Sequence, residues 1–293
     1  MCQVTDQGVA VLKEWKRSLR ISLKHARSLL HGYPFFYAHQ QAPHQSDLYP
    51  HLWCDSVTAI PDRGSPEIRK NRVSNLQLAA SKIHQLQLNP GQIFSFCNRV
   101  GDPTLSNGFK AGPVFVRGQV QTGVGGGLCL IATNLFHTFL VSGCQILERH
   151  CHSIDAYGGD RFYQLGQDAA VSYGYKDLIV RNHSAVALQL RLQVLPEAGQ
   201  VISSLWGQSP SPWKVKVDSV VLQELSSPTT DISGWVVETR RSVRDRTDNS
   251  KARTGSKTIT EDRSWRQDYC TISVYQPCTD SSFETTDQLD QIA

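Results

Sequence analysis

Apolar residues recur every three or four positions near the start of the chain: Val9, Leu12, Trp15, Leu19, Leu23, Ala26 and Leu30. That spacing predicts an amphipathic helix over 4–31. Lys13, Lys16, Arg17, Arg20, Lys24 and Arg27 fill its other face. A basic amphipathic helix has two uses. It packs its apolar stripe on the protein and leaves the cations in solvent, or it makes peripheral contact with an anionic membrane, here through residues 9–30. The packed helix is the expectation. Residues 32–68 hold aromatics, histidines and prolines without a period and read as an ordered, irregular connection with short elements. Val73, Leu76, Leu78, Ala80 and Ile83 predict a second helix, Asn71–Leu88, stopped by Asn89-Pro90-Gly91. Ile93–Phe96 then reads as a strand, and Gly112–Val120 as extended.

The segment from Gly118 to Leu147 contains no Asp, Glu, Lys or Arg. Its glycine-rich start leaves an apolar part too short for the roughly 20 residues that cross a bilayer. Residues 128–142 therefore predict a helix buried in protein, with Gly143 as its C-cap. Ile146–Ile154 and Asp168–Tyr173 read as strands, and Asp177–Val194 as a strand pair turning at Asn182-His183-Ser184. Beyond Pro196, Lys214–Leu222, Gly234–Thr239 and Tyr269–Tyr275 alternate as strands. Arg240–Lys257 holds seven Lys or Arg and reads as a solvated hairpin loop, and the last fifteen residues as a frayed tail. The sum is an α+β fold, helices on a mostly antiparallel sheet. The division expected is an N-terminal helical and irregular region (1–70), a core domain (71–195) and a β-rich C-terminal region with a disordered tail (196–293).

Composition narrows the function classes. Over 293 residues, 40% hydrophobic and 19% charged positions describe a globular chain. A formal net charge of +4 is too mild for a nucleic-acid partner. Eight cysteines without a CxxC pair exclude the common zinc and thioredoxin patterns. The first twenty residues lack an apolar secretory region. A cytoplasmic location and free thiols, Cys270 and Cys278 included, are the expectation.

The chemistry concentrates at Gly123-Val-Gly125-Gly126-Gly127-Leu-Cys129. The third glycine of a dinucleotide fingerprint is missing, and no Gly-Lys-Ser/Thr follows. The glycines let backbone approach a ligand and deliver Cys129 to the first turn of a helix. Unpaired N–H groups there favour a thiolate or an oxyanion. Downstream stands Glu148-Arg-His150-Cys-His152. On a strand, His150 and His152 share one face and Cys151 takes the other. Asp168 follows at the start of the next strand. The order is that of papain-like and transglutaminase-like thiol enzymes: Cys129 as nucleophile, His152 as base, Asp168 as orienter. A metal held by His150, His152 and a cysteine is the competing chemistry, but the alternation sets Cys151 apart. A packing role for all of these residues is the bland alternative. No metal and no other cofactor is expected.

Several motifs, in this order, resemble the VanW-like family. They are Asn71-Arg-Val-Ser-Asn75-Leu, Pro90-Gly91-Gln-Ile-Phe94-Ser95-Phe96, Gly108-Phe109-Lys110, Gly125-Gly-Gly-Leu-Cys129, Arg149-His-Cys-His152, Asp168-Ala169 and Asp177-Leu-Ile-Val-Arg-Asn182. The resemblance covers about residues 70–195. That family is named for an accessory product of glycopeptide-resistance gene clusters, and the resemblance implies a bacterial protein without an established reaction. The family pattern has Gln after the motif cysteine and a hydroxyl residue two positions later, where this chain has Leu130 and Ala132. Two functions follow as expectations. One is acyl transfer or amide hydrolysis on a peptide-like or cell-wall-precursor ligand. The other is non-catalytic binding of an anionic envelope-related ligand by Gly125, Gly126, Gly127 and His150.

Overall fold

The charge-free helix organises the molecule. The computed structural model describes residues 6–116, 119–227, 233–246 and 265–277. Helix α4 (Leu128–Ser142) has the predicted limits, and Gly143 closes it with a left-handed φ of 84°. Twelve of its fifteen residues are buried, as apolar side chains all round the axis require.

One face of α4 lies on an antiparallel sheet of order β1-β9-β8-β2. Its strands are β1 (His51–Ala59), β2 (Leu86–Leu88), β8 (Leu188–Leu195) and β9 (Gln200–Gly207). Polar side chains of α4 bond to that sheet. Asn134 Nδ2 donates to Ser56 O, Thr58 Oγ1 and Val201 O, and the Thr138 and Ser203 hydroxyls bond at 2.6 Å. The remaining strands form three antiparallel groups. β3 (Ile93–Ser95), β7 (Ile179–Arg181) and β6 (Gln145–Glu148) make one sheet. β4 (Ala111–Val116) and β5 (Gln119–Val124) make a hairpin that leads into the glycine loop. β10 (Trp213–Leu225), β11 (Gly234–Asp245) and β12 (Arg266–Tyr275) make the third. Helices α1 (Asp6–Leu30), α2 (Pro66–Ile83) and α3 (Phe96–Val100) complete the α+β fold.

Several expectations are corrected. The second helix begins at Pro66, with Ser65 accepting from Ile68 N–H, and ends at Ile83. Gln85 adopts φ 60°, which breaks the helix, and Leu86–Leu88 then pairs with β8. Residues 32–68 are less irregular than expected, because β1 forms an edge of the central sheet. Asp177–Val194 is not a hairpin: β7 and β8 belong to different sheets. Asn182 redirects the chain there, its Nδ2 donating to Leu88 O and Val186 O. β11 runs on to Asp245, so the start of the expected Arg240–Lys257 loop is strand. Arg241 is 1% exposed and donates to Leu140 O and Cys144 O at the end of α4. A cation there satisfies carbonyls the helix leaves open. The rest of that loop from 247, the last fifteen residues and Cys278 lie outside the described residues. Cys270 is an exposed free thiol inside β12.

Candidate functional site

Cys129 sits in the first turn of α4, where the sequence placed it. Gly125 and Gly127 precede it with φ of 90° and 99°. Both values are in the left-handed region that glycine adopts without strain. Asn75 fixes this loop by donating to Lys110 O and Gly126 O while accepting from Lys110 N–H. A Cβ on Gly125 would stand 2.7 Å from Pro103 Cβ. Gly125→Ala is therefore expected to cost about 1–3 kcal/mol in urea unfolding and to slow modification of Cys129.

His152 and Asp168 meet, but not on strands. β6 ends at Glu148, and residues 149–152 leave the ladder. Asp168 causes this, because its Oδ2 takes both the backbone N–H of His152, at 2.7 Å, and its Nδ1, at 2.5 Å. The segment around Asp168 is not a strand either. Ala169 N–H donates to Thr133 Oγ1, whose hydroxyl donates to Ala169 O. Thr133 lies one helical turn beyond Cys129, so α4 presents the thiol and anchors the carboxylate segment from the same face. With Nδ1 held by Asp168, Nε2 is the ring nitrogen left for Cys129, whose thiol itself donates to Val171 O at 3.7 Å.

The electrostatics follow from this chain of contacts. Burial alone would raise the Cys129 pKa, but the hydrogen bond and charge of His152 outweigh it and lower the value. Burial alone would lower the His152 pKa, and bonding to Asp168 and Cys129 raises it instead. Asp168 is fully buried, yet His152, Arg149 and Tyr275 hold its carboxyl below the ordinary carboxylate range. These shifts favour a thiolate–imidazolium pair on a buried carboxylate. Cys129 stands apart from other described thiols. Burial raises Cys54, Cys97 and Cys144, the last to about 11.

Three partners of this site carry no signal in the spacing alone. Arg149 donates to Asp168 Oδ1 and to Asp168 O, both at 2.6 Å. Tyr275, at the end of β12, donates its hydroxyl to Asp168 Oδ1 at 2.5 Å and accepts from Gly166 N–H. Tyr163 stacks on His152 with centroids 5.9 Å apart. Only the adjacency of Arg149 to the His150/His152 motif pointed at any of them. Tyr275→Phe removes a hydrogen bond to a charged group, so a loss of about 1.5–3 kcal/mol is expected. Urea unfolding measures it, and Cys129 alkylation should slow in the same variant.

Other residues singled out from the sequence lie elsewhere. His150 Nε2 bonds Glu148 Oε1 at 3.0 Å, and the same carboxylate pairs with Lys24 of α1. Leu130 and Ala132 are buried in the core, so the two departures from the family pattern add packing there. Asp177 accepts from Ser95 Oγ and from Cys97 N–H, which ties β3 to the segment before β7. Among the described residues, no group of three or more His, Cys, Asp or Glu side chains is arranged to hold a metal ion.

The molecule is thus an α+β protein with a thiol at a helix start and an imidazole bonded to a buried carboxylate. Residues 71–206, slightly under half of the chain, match the family model described as VanW like protein. The chain is 34% identical over 113 residues to the uncharacterized protein YoaR of Bacillus subtilis (strain 168), a match covering 39% of this chain and 36% of that protein. It is 32% identical over 123 residues to the vancomycin B-type resistance protein VanW of Enterococcus faecalis (strain ATCC 700802 / V583), covering 42% and 45%. The matches therefore span less than half of each relative's length. No solved structure matches the chain.

Proposed function

We propose that the site performs thiol-dependent acyl transfer or amide hydrolysis on a peptide-like, cell-wall-related substrate, in a role linked to glycopeptide resistance. The supporting observation is the Cys129–His152–Asp168 group, in which the thiol pKa is lowered and the imidazole pKa raised. The association with resistance rests on the name of the Enterococcus relative.

The Cys129 thiolate attacks the carbonyl carbon, an S–C bond forms, and the carbonyl electron pair moves to oxygen. Leu128 and Leu130 N–H bond Gly125 O and Gly127 O, so the Cys129 N–H in the first turn of α4 is the donor that faces the developing charge. The His152 imidazolium gives its proton to the leaving nitrogen as the C–N bond breaks. Water or an acceptor amine then gives a proton to His152 and attacks the thioester, which returns Cys129. Asp168 stays ionised and holds the ring.

The test is intact-mass analysis of the full chain with labelled short peptides and peptide esters. An acyl adduct on the wild type, absent from Cys129→Ala, is expected. Peptides that bind both proteins equally with neither adduct nor turnover would instead support anion binding at the glycine loop.

A further inference from the structure

We propose that the outer face of α1 docks on an anionic lipid bilayer. The helix meets the protein along one line. Arg17 bonds Asp102 at 2.6 Å, Lys24 pairs with Glu148, and Ser28 is buried. Ile21 lies over Gly174, where an added Cβ would clash with it. At 100° per residue these four positions share one side of the helix. Trp15, Leu19, Leu23 and Leu30 share the opposite side and are 45–87% exposed. The apolar stripe that the sequence would pack inward therefore points out. Arg17, Ile21, Lys24 and Ser28 are the positions that meet the protein.

Further apolar side chains are exposed where the helix ends. Leu29 at the end of α1 is exposed, and the next turn, Tyr33–Phe36, leaves Phe35 and Phe36 exposed as well. Lys16, Arg20 and Arg27 lie along one border of the stripe and are exposed, Arg20 also reaching the ring of Tyr175. From Trp15 to Leu30 the helix has five Lys or Arg and no Asp or Glu. That charge pattern selects the occupant. A second copy pairing through this stripe would set cations against cations, whereas anionic headgroups would neutralise them as the apolar side chains enter the acyl boundary. Trp15 and the two phenylalanines suit that boundary. Among the described residues no helix is long and apolar enough to cross a membrane, so the contact proposed is peripheral.

Flotation of the full chain with two vesicle types tests this: phosphatidylcholine alone, and phosphatidylcholine with about one-third phosphatidylglycerol. At least about tenfold stronger binding to the anionic vesicles is expected, weakening as salt is raised. Leu19→Ser/Leu23→Ser should abolish binding. Lys16→Glu/Arg27→Glu should reduce the anionic preference. Both variants should melt like the wild type, because none of these side chains is buried. Three results would overturn the proposal. One is no flotation with either vesicle. Another is equal binding to both that the charge variant leaves unchanged. The third is a lipid-free dimer, dissociated by Leu19→Ser/Leu23→Ser, which would assign the face to a second copy.

Discussion

At about pH 6, iodoacetamide is expected to alkylate Cys129 faster than Cys270. An ordinary thiol of pKa about 8.5 is about 0.3% ionised there. Each unit of pKa lowering multiplies the thiolate tenfold, while the weaker nucleophilicity takes back about threefold. Cys129 is lowered by His152 against the effect of its burial. Cys270 moves the other way, raised by its slight burial and by the adjacent Glu238. Comparing these two thiols sets pKa against exposure, since Cys270 is exposed and Cys129 only partly so. His152→Ala should bring the Cys129 rate to or below that of Cys270. The measurement is alkylation rate against pH, read for each cysteine by mass spectrometry. A Cys129 rate no faster than Cys270, and indifferent to His152→Ala, would leave the thiol as packing and end the nucleophile reading.

Asp168→Ala should be the most damaging single change at the site, costing about 3–5 kcal/mol. The side chain is fully buried, and its partner Arg149 is itself only 3% exposed. Removing the carboxylate leaves that guanidinium without its counter-charge, frees the Tyr275 hydroxyl and releases the His152 ring. Urea unfolding at neutral pH measures the loss, and a loss below about 1 kcal/mol would contradict the account of a buried charge pair. The pH dependence has a definite sign. The Asp168 pKa is lower in the folded protein than in the unfolded chain. Its stabilisation is therefore present above the unfolded value of about 4 and is lost as pH falls toward the folded one. Asp168→Ala should unfold with a shallower acid limb than the wild type.

The sequence was most legible where one kind of information sufficed. Apolar residues on every side of 128–142 can only mean a buried helix, and both ends of α4 were readable from glycines. The alternating segments of the C-terminal sheet were equally clear. Legibility failed where a side chain overrides backbone periodicity. Residues 149–152 and 168–173 have strand-like composition, but the Asp168 carboxylate captures His152 N–H and bends both segments out of any ladder. Arg241 reads as one cation in a basic run, and only the position of the α4 carbonyls gives it a buried role. The periodicity of α1 was read correctly and its orientation was not, because spacing defines a face without saying which way it points. For the site, Cys129, His152 and Asp168 could be named from order and residue type. Tyr275 could not, since nothing local marks a tyrosine whose hydroxyl serves a carboxylate 107 positions away.

That long-range bond also sets an order of events in folding. Cys129 and Thr133 are placed by a local helix, whereas Tyr275 reaches Asp168 only after β12 has paired with β11. Contacts of high sequence separation form late, because loop closure must precede them. The thiol should thus gain its full reactivity in the last kinetic phase of refolding, after α4 is already in place. Pulse alkylation during refolding would show Cys129 passing from ordinary to enhanced reactivity in step with burial of Tyr275.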